Sequence, residues 1–377
     1  MTMHAHCRPD LLHCARAPRR TRAERGAAII TALFVVALAA ILVSGMLWRQ
    51  QVQIRRIENQ RLLAQARWIS RGATDWTRLI LRSEGDTAPG FTYLGGIWGV
   101  PIARTRLSDF LGQIGEVRAE EGAATYLSGS IEDAQARFNL RNLATIPRPG
   151  VIAVDPNQLL VLQRLLSSLG LDGQLAGRVA SAVRDSLAGS ATRFQVNAQA
   201  PFGASGVPAQ QAAAGSAIGG ELTDKPGLEG GNDASARRPI QMVDATALLD
   251  VAGFTPEIVA RLKPFVIVLP TRTVLNMNTA SAEVIAASIP GMSIGAAQAL
   301  VARRSTVFFR NTGEVQLALQ AAGLPAVEKN LNTIGVDTNY FIVHGKVQHE
   351  RAELIRTTLI YRDALTKTTR VVSVRDE

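Results

Sequence analysis

Few side chains in this sequence have the chemistry of an active centre. The five histidines are His4, His6, His13, His344 and His349, and the two cysteines are Cys7 and Cys14. Zinc selects such groups in tetrahedral sets of four ligands at defined spacings. His4, His6, Cys7, His13 and Cys14 crowd one short stretch whose spacing fits no such set. His344 and His349 fall in no catalytic arrangement, and the chain has neither a phosphate loop nor a His-Glu-x-x-His zinc helix. Enzymatic activity is not expected. The bond that invites chemistry is the peptide bond Gly26-Ala27. Arg25 and Gly26 abut an apolar run directly, with no polar spacer and no small-x-small site after it. A secretory signal is cut beyond its apolar stretch. A cut after Gly26 would instead discard the basic leader and leave the apolar stretch at the new N-terminus.

That stretch, residues 27–47, reads AAIITALFVVALAAILVSGML, without a charge or a proline. As a helix it spans about 31 Å, the thickness of a bilayer core. Arg25 precedes it, and Trp48 with Arg49 follows as interfacial anchors do. Arg49, Arg55, Arg56 and Arg61 beyond the span leave little charge asymmetry to set its orientation. The leader holds six arginines against Asp10 and Glu24; the remainder carries 35 basic against 29 acidic side chains. Much of the net charge of +10 therefore belongs to the leader, and nucleic-acid binding does not follow from it. Both cysteines lie there too, so the chain without its leader has no thiol and tolerates an oxidising compartment. The length, 377 residues, allows two to three domains.

Beyond the span, Leu62, Ala66, Ile69, Ala73, Trp76 and Ile80 step by four and three, and no proline interrupts Ala27 to Ala88. The pattern predicts one helix of roughly 55 residues, apolar all round in its first half and amphipathic in its second. Strands are expected at Phe91–Leu94 and Ala124–Ile131, and helices at Pro156–Leu169, Asp172–Leu187, Met242–Val251 and Thr255–Leu262. In residues 198–239, Ala, Gly, Ser, Pro and Gln supply 28 of 42, so a flexible insertion is expected. Within residues 275–304, Thr279 is the expected N-cap of a helix with Glu283 in its first turn. Pro290-Gly291 ends that helix, and a second follows from Ile294 to Arg303. Tyr340–Val347, Ala352–Tyr361 and Thr369–Val374 read as strands returning to the sheet begun near residue 91.

The Gly26-Ala27 junction resembles the prepilin-peptidase signal of type IV pilins and type II secretion pseudopilins. Counted from Ala27, the fifth residue is Thr31, where most pilin-like subunits carry a Glu. The member of that group that lacks the Glu as a rule is minor pseudopilin K of type II secretion, also called general secretion pathway protein K. The segment Asn139-Leu140-Arg141-Asn142-Leu143 after an acidic strand resembles a motif of that family, with Asn139 and Asn142 read as turn formers bonding local backbone. The resemblance implies an α+β fold: a long N-terminal helix and an antiparallel sheet carrying a large inserted all-α domain of sterile-alpha-motif-like, helix-hairpin-helix units. Asn276, Asn278, Pro290 and Gly291 belong to the second such unit.

The implied organisation is a cytoplasmic leader (1–26), a transmembrane segment (27–47), the periplasmic part of the helix (48–84) and the first part of the sheet (85–145). There follow a first helical unit (150–270) containing the flexible 198–239, a second (271–335), and the last strands (338–377). The implied function is assembly at the tip of the type II secretion pseudopilus, needed for export of folded proteins from the periplasm across the outer membrane. Cleavage after Gly26 frees Ala27, a residue the family N-methylates, and the mature chain is single-pass in the inner membrane with its bulk in the periplasm. Implied partners are minor pseudopilins I and J, other pseudopilins, the prepilin peptidase and the inner-membrane assembly platform. Many relatives hold calcium in the helical domain; here Asp224, Glu229 and Asp233 are the available carboxylates, without the alternating acids and Gly of a calcium loop. No other cofactor is expected.

Residues 275–304 also resemble the helix-hairpin-helix of membrane-anchored, competence-like DNA receptors, in which Arg303 and Arg304 would touch phosphate; a solvated helix end is the equal alternative for these two residues. The receptor reading meets a departure: DNA-binding hairpins use Gly-x-Gly, and this one reads Gly291-Met292-Ser293. Nucleic acid is not expected as a partner.

Overall fold

A computed structural model describes residues 24–112, 124–148, 151–198, 241–324 and 332–377. The chain divides between Leu62 and Leu63 into two units. Helix α1, Glu24–Thr87, contributes to both. In the first unit the side chains of the apolar run are exposed, among them Ile29, Phe34, Val36, Ile41, Met46 and Trp48. Among the described residues this is the one helix apolar and long enough to cross a membrane, with a mean hydropathy of 2.6 in its best window. The helix extends further than the expected 55 residues because nothing between the leader and Thr87 breaks it.

The second unit begins with the amphipathic end of α1. Ala66 packs with Leu127, Val347 and Leu354, and about four turns further on Leu81 packs with Trp98, Phe341 and Ile360. The partners come from a sheet. Its first strand is β1 (Ile102–Arg106), followed by the short helix α2 (Leu107–Gly112) and strand β2 (Thr125–Asp133). Phe91–Leu94, expected as a strand, is irregular instead. There Phe91 and Tyr93 stack on Phe308 at 5.2 and 4.1 Å, and the Thr92 N–H donates to the Val336 carbonyl. Packing on a distant helix end outweighs the β propensity of the run.

After β2 the chain enters two helical lobes. The first comprises β3 (Phe138–Asn139), the hairpin of β4 (Ala144–Arg148) and β5 (Val151–Val154), then α3 (Pro156–Ser168), α4 (Leu175–Ala198), α5 (Pro256–Leu262) and β6 (Val266–Ile267). The second comprises β7 (Leu275–Asn276), α6 (Ala282–Ser288), α7 (Ile294–Thr306), α8 (Thr312–Ala321) and β8 (Ile334–Gly335). Each lobe is closed at its base by a two-residue parallel bridge, β3 to β6 and β7 to β8. The two share one core, in which Leu162, Leu166, Leu262, Met277 and Ile285 are fully buried. Caps fix the helix starts: Asp155 accepts from the N–H groups of Asn157 and Gln158 ahead of Pro156, and Ser293 accepts from Ala296.

Residues 242–251, expected as a helix, form only a 3-10 stretch, Ala245–Asp250, held by Asp244 accepting from the Thr246 N–H. The second helix of the first lobe starts at Leu175 rather than Asp172 and runs on to Ala198. Residues 199–239 of the expected flexible insertion lie outside the described residues, as do the leader through residue 23 and the calcium candidates Asp224, Glu229 and Asp233.

The chain then returns to the sheet as β9 (Tyr340–His349), β10 (Ala352–Arg362) and β11 (Thr369–Asp376). The order is β1-β2-β9-β10-β11, antiparallel throughout. Strands β2 and β9 are direct neighbours, with Asp133 opposite Phe341 and Gly129 opposite Gly345. A Cβ on Gly129 would sit 2.7 Å from the His344 carbonyl oxygen, so the close approach of these strands requires glycine there. Everything from Ala134 to Asn339 is thus an insertion between two adjacent strands. The sheet with its long helix and inserted helical lobes is the architecture expected, although the sheet begins at Ile102 rather than near residue 91.

Candidate functional site

At the start of α1, Gly26 and Ala27 lie in helical backbone. Thr31 returns its hydroxyl to the Ala28 carbonyl at 3.0 Å. A hydroxyl satisfied within its own helix suits an apolar surrounding, whereas a carboxylate at the same position needs a cation. From Ala27 to Ile57 the sequence holds no acidic residue.

In the second unit the polar residues converge on the seam where the insertion leaves and rejoins the sheet. Asp133, at the end of β2, is buried. Its Oδ1 accepts from the Gln135 N–H at 2.7 Å and from the Thr338 hydroxyl. Its Oδ2 accepts from Asn276 Nδ2 at 2.7 Å and from the Thr279 hydroxyl at 2.6 Å. Burial raises this carboxyl above the ordinary carboxylate range, and the four donors pull against that rise. Beside it, Arg362 of β10 is 3% exposed. It donates to the carbonyls of Leu81 and Thr338 and to the Thr92 hydroxyl, at 3.0–3.1 Å, and to Asp337 at 3.3 Å. Its guanidinium lies over the Phe341 ring, 4.8 Å from the centroid. Burial pushes this guanidinium down from its usual value, and Asp337, Glu84 and Asp133 partly restore it. The network joins α1, β2, β10, the segment around Thr92 and the second lobe. All four donors around Asp133 are committed, so the group is an anchor without a substrate-facing atom.

Asn139 and Asn142, expected to bond local backbone, act over distance. Asn139 Oδ1 accepts locally from the Arg141 N–H, but also from the Leu269 N–H, and Nδ2 donates to the Thr271 carbonyl and the Thr273 hydroxyl. Asn142 bonds the Thr273 backbone at both its N–H and its carbonyl, at 3.0 and 2.8 Å. Leu140 and Leu143, each following one of these asparagines, are fully buried. The motif thus clamps the segment linking the two lobes. The second lobe repeats the device. Asn276 donates to the Thr92 carbonyl as well as to Asp133, and Asn278 pairs with both backbone groups of Phe309 at 2.8 Å. Thr279, expected as an N-cap, gives its hydroxyl to Asp133, and Ser281 caps α6 instead.

Pro290 and Gly291 separate α6 from α7, Gly291 in the left-handed region at φ +78°. The Met292 side chain is buried in the shared core. Gly291-Met292-Ser293-Ile294-Gly295 has the Gly-x-Ser-x-Gly spacing of a nucleophile elbow. That elbow needs a strand-to-helix turn and a histidine. Here the turn joins two helices, and the Ser293 side chain is the cap of α7. Arg304, which a DNA-binding hairpin would place on phosphate, is 9% exposed and donates to the Met277 carbonyl at 2.6 Å. Burial pulls its guanidinium down to about 10. His349 Nδ1 lies 2.7 Å from the Thr125 hydroxyl and its Nε2 3.1 Å from Gln65 Oε1, while His344 faces Glu132 at 3.5 Å. Among the described residues no three metal-ligating side chains come together.

Two family models match the chain, both described as type II secretion system protein K, over residues 136–271 and 275–337. Together they span just over half of it. A type II secretion system protein K from Pseudomonas aeruginosa is 28% identical over 345 residues, covering 90% of this chain and 89% of that protein. Proteins of the same name from Pectobacterium carotovorum and Klebsiella pneumoniae are 24% and 27% identical over 90% and 75% of this chain, and over 92% and 76% of their own lengths. Among solved structures, a chain of the GspK-GspI-GspJ complex from enterotoxigenic Escherichia coli shares the fold, with a TM-score of 0.57 at 19% identity over 85% of this chain and 99% of that one.

Proposed function

On the premise that this chain belongs to the type II secretion system protein K family, we propose that it is the minor pseudopilin at the tip of a periplasmic pseudopilus. It acts by assembly, not by catalysis, in the export of folded proteins. The observation that carries this reading is the insertion of residues 134–339 between adjacent strands β2 and β9. An insertion of more than half the chain is too bulky to repeat along a closely packed helical fibre, but fits its end. Thr31 supports the same place. A tip subunit has no neighbour beyond it, and a hydroxyl already bonded to Ala28 requires none.

In this reading the prepilin peptidase cuts between Gly26 and Ala27, Ala27 is then N-methylated, and α1 anchors the chain once through the inner membrane. Minor pseudopilins I and J are its direct partners, with other pseudopilins and the assembly platform below them. The two lobes are sterile-alpha-motif-like units, and the hairpin around Gly291 is a packing element. Arg304, spent on the Met277 carbonyl, removes one of the two cations a DNA-binding hairpin would use.

Two experiments test the reading. Mixing the chain with I and J and separating by size should give one peak containing all three; separate peaks would refute tip assembly. Replacing Gly26 with a bulky residue should block leader removal, and a product of unchanged, mature mobility would refute the cut.

A further inference from the structure

The packing of α1 on the sheet leaves a cavity of about 380 Å³. Its roof is the α1 segment from Ser70 to Ile80. Its floor is the middle of the sheet, where Gly129 of β2, Gly345 of β9 and Arg356 of β10 stand in one row. Gly345 lies between Val343, which packs with Leu81, and Val347, which packs with Ala66. By strand alternation a side chain at 345 would therefore enter the cavity. The sheet does not require glycine there, since an added Cβ meets nothing nearer than the Arg356 carbonyl oxygen at 3.9 Å. Glycine inside a strand weakens it, and here it also leaves open a space that a side chain would fill.

The lining differs from one side to the other. On the side of β1 and α2 it is apolar: Trp76 of α1 meets Phe110 edge to face at 5.6 Å, with Val100 and Ile102 alongside. On the side of β10 it includes Arg356 and Thr358, and Ser70 joins them in the lining from α1. Arg356 is already neutralised by Asp376, at 2.6 and 3.0 Å, so the cavity has no net charge for an ion to balance. Ser70 and Thr358 are 4% and 1% exposed. The Thr74 and Thr77 hydroxyls on the same helix are spent on the carbonyls of Ser70 and Ala73. The Ser70 and Thr358 hydroxyls, by contrast, have no hydrogen-bond partner among the described residues. A hydroxyl taken from water without a partner is unfavourable, and a hydroxyl both donates and accepts, so its natural complement is another neutral hydroxyl. An apolar cavity of about 150 Å³ holds benzene, so this one has room for a body of about two rings. We propose that the cavity binds a small neutral molecule with an apolar body of that size and a single hydroxyl group, the hydroxyl on Ser70 and Thr358 and the body against Trp76 and Phe110. The proposal does not depend on the reading of the chain as a pseudopilin.

The test is calorimetric titration of the full chain in a non-ionic detergent with 2-naphthol, naphthalene and 2-naphthoate. Partition into micelles is common to wild type and variants and cancels in the difference between them. 2-Naphthol should bind saturably at one site. Naphthalene, which lacks the hydroxyl, should bind roughly threefold to tenfold more weakly, the range of one net hydrogen bond. The charged naphthoate should also bind more weakly than 2-naphthol, because its carboxylate would be desolvated without a free cation. Replacing both hydroxyls, Ser70→Ala with Thr358→Val, should abolish the preference for 2-naphthol and leave naphthalene binding unchanged. Gly345→Leu should abolish binding of both, because its side chain fills the cavity, and the open space above the strand lets that variant fold. No saturable binding to wild type, binding unchanged in Gly345→Leu, or naphthalene or naphthoate binding as tightly as 2-naphthol would each overturn the proposal. A short peptide containing tyrosine, set against its phenylalanine counterpart, identifies the source. Displacement of 2-naphthol by the tyrosine peptide alone supports a hydroxyl delivered on a polypeptide, and displacement by neither, with 2-naphthol still bound, supports a free molecule.

Discussion

Asp133→Asn is a stringent probe of the seam because it preserves shape and reverses one hydrogen-bonding role. The wild-type carboxylate accepts four bonds, two per oxygen, and each oxygen faces one hydroxyl and one N–H group. The hydroxyls of Thr338 and Thr279 can rotate to accept from an amide. The Gln135 backbone N–H and the Asn276 amide N–H cannot. Whichever way the new side chain is turned, its NH2 group faces one of those two, and one buried donor is orphaned. The cost of one such donor is about 1–3 kcal/mol. Removal of a buried charge offsets part of it, and Arg362 loses one of its three counter-charges, which adds to it. The expected destabilisation is therefore about 2 kcal/mol for Asn, and roughly 3–5 kcal/mol for Asp133→Ala, where all four donors lose their acceptor. Urea unfolding of the chain from Leu63 onward, followed by circular dichroism, measures it as a fall in midpoint at unchanged slope. Variants within about 0.5 kcal/mol of wild type would refute the claim that this carboxylate ties the insertion to the sheet.

Thr31→Glu should lower the membrane-inserted amount of the chain only slightly, because residue 31 lies near one end of the 27–47 span and its cost falls short of the about 2.5–3.5 kcal/mol of a bilayer centre, while Thr31→Val should leave it unchanged; a large loss of the Glu variant on quantitative blotting of membrane fractions would refute this placement. Arg356 holds the Asp376 carboxyl below the usual carboxylate range. A depressed acid contributes stability that is present above its unfolded pKa, about 3.9, and lost as pH falls through the folded value. Arg356→Gln should therefore lower the melting temperature at pH 7 but not near pH 2, and by less than about 1 kcal/mol because the pair is partly exposed. Arg304→Met should change stability by less than about 1.5 kcal/mol, since the lost bond to Met277 is offset by relief of a desolvated charge; denaturant titration would show a larger loss if the guanidinium were more than a packed stem with one bond.

The elements legible in the sequence were those whose signal is local. The charge-free run and the four-three stripe of Leu62 to Ile80 specify α1, and the Val, Ile, Thr and Tyr runs specify β9, β10 and β11 to within a few residues. Thr255-Pro256 and Asp155-Pro156 mark helix starts by capping chemistry alone. The errors arose where a distant partner decides. Phe91 to Leu94 looks like a strand until Phe308 is placed beside it. Thr279 and Ser281 are equally good caps on paper, and only the position of Asp133 claims Thr279. Asp133, Thr338 and Arg362 are ordinary residues in sequence, because their partners lie up to 281 positions away.

The seam also explains how a sheet tolerates an insertion of this size between two paired strands. The entropy of closing a loop grows only as the logarithm of its length, so doubling it adds about 0.6 kcal/mol. Even that cost is reduced when the inserted segment fixes its own ends. Here the parallel bridges β3 to β6 and β7 to β8 hold the base of each lobe, the Asn139 and Asn142 side chains clamp the segment between the lobes, and Asp133 draws in Asn276, Thr279 and Thr338. To the sheet the insertion then behaves as a short connection from Asp133 to Tyr340, and β2 pairs with β9 as a hairpin strand would. A lobe can accordingly gain or lose surface without disturbing the packing of α1 on the sheet, provided the bridges and the Asp133 contacts remain. A subunit that must match its neighbours along α1 while presenting a different surface at its far end needs that independence.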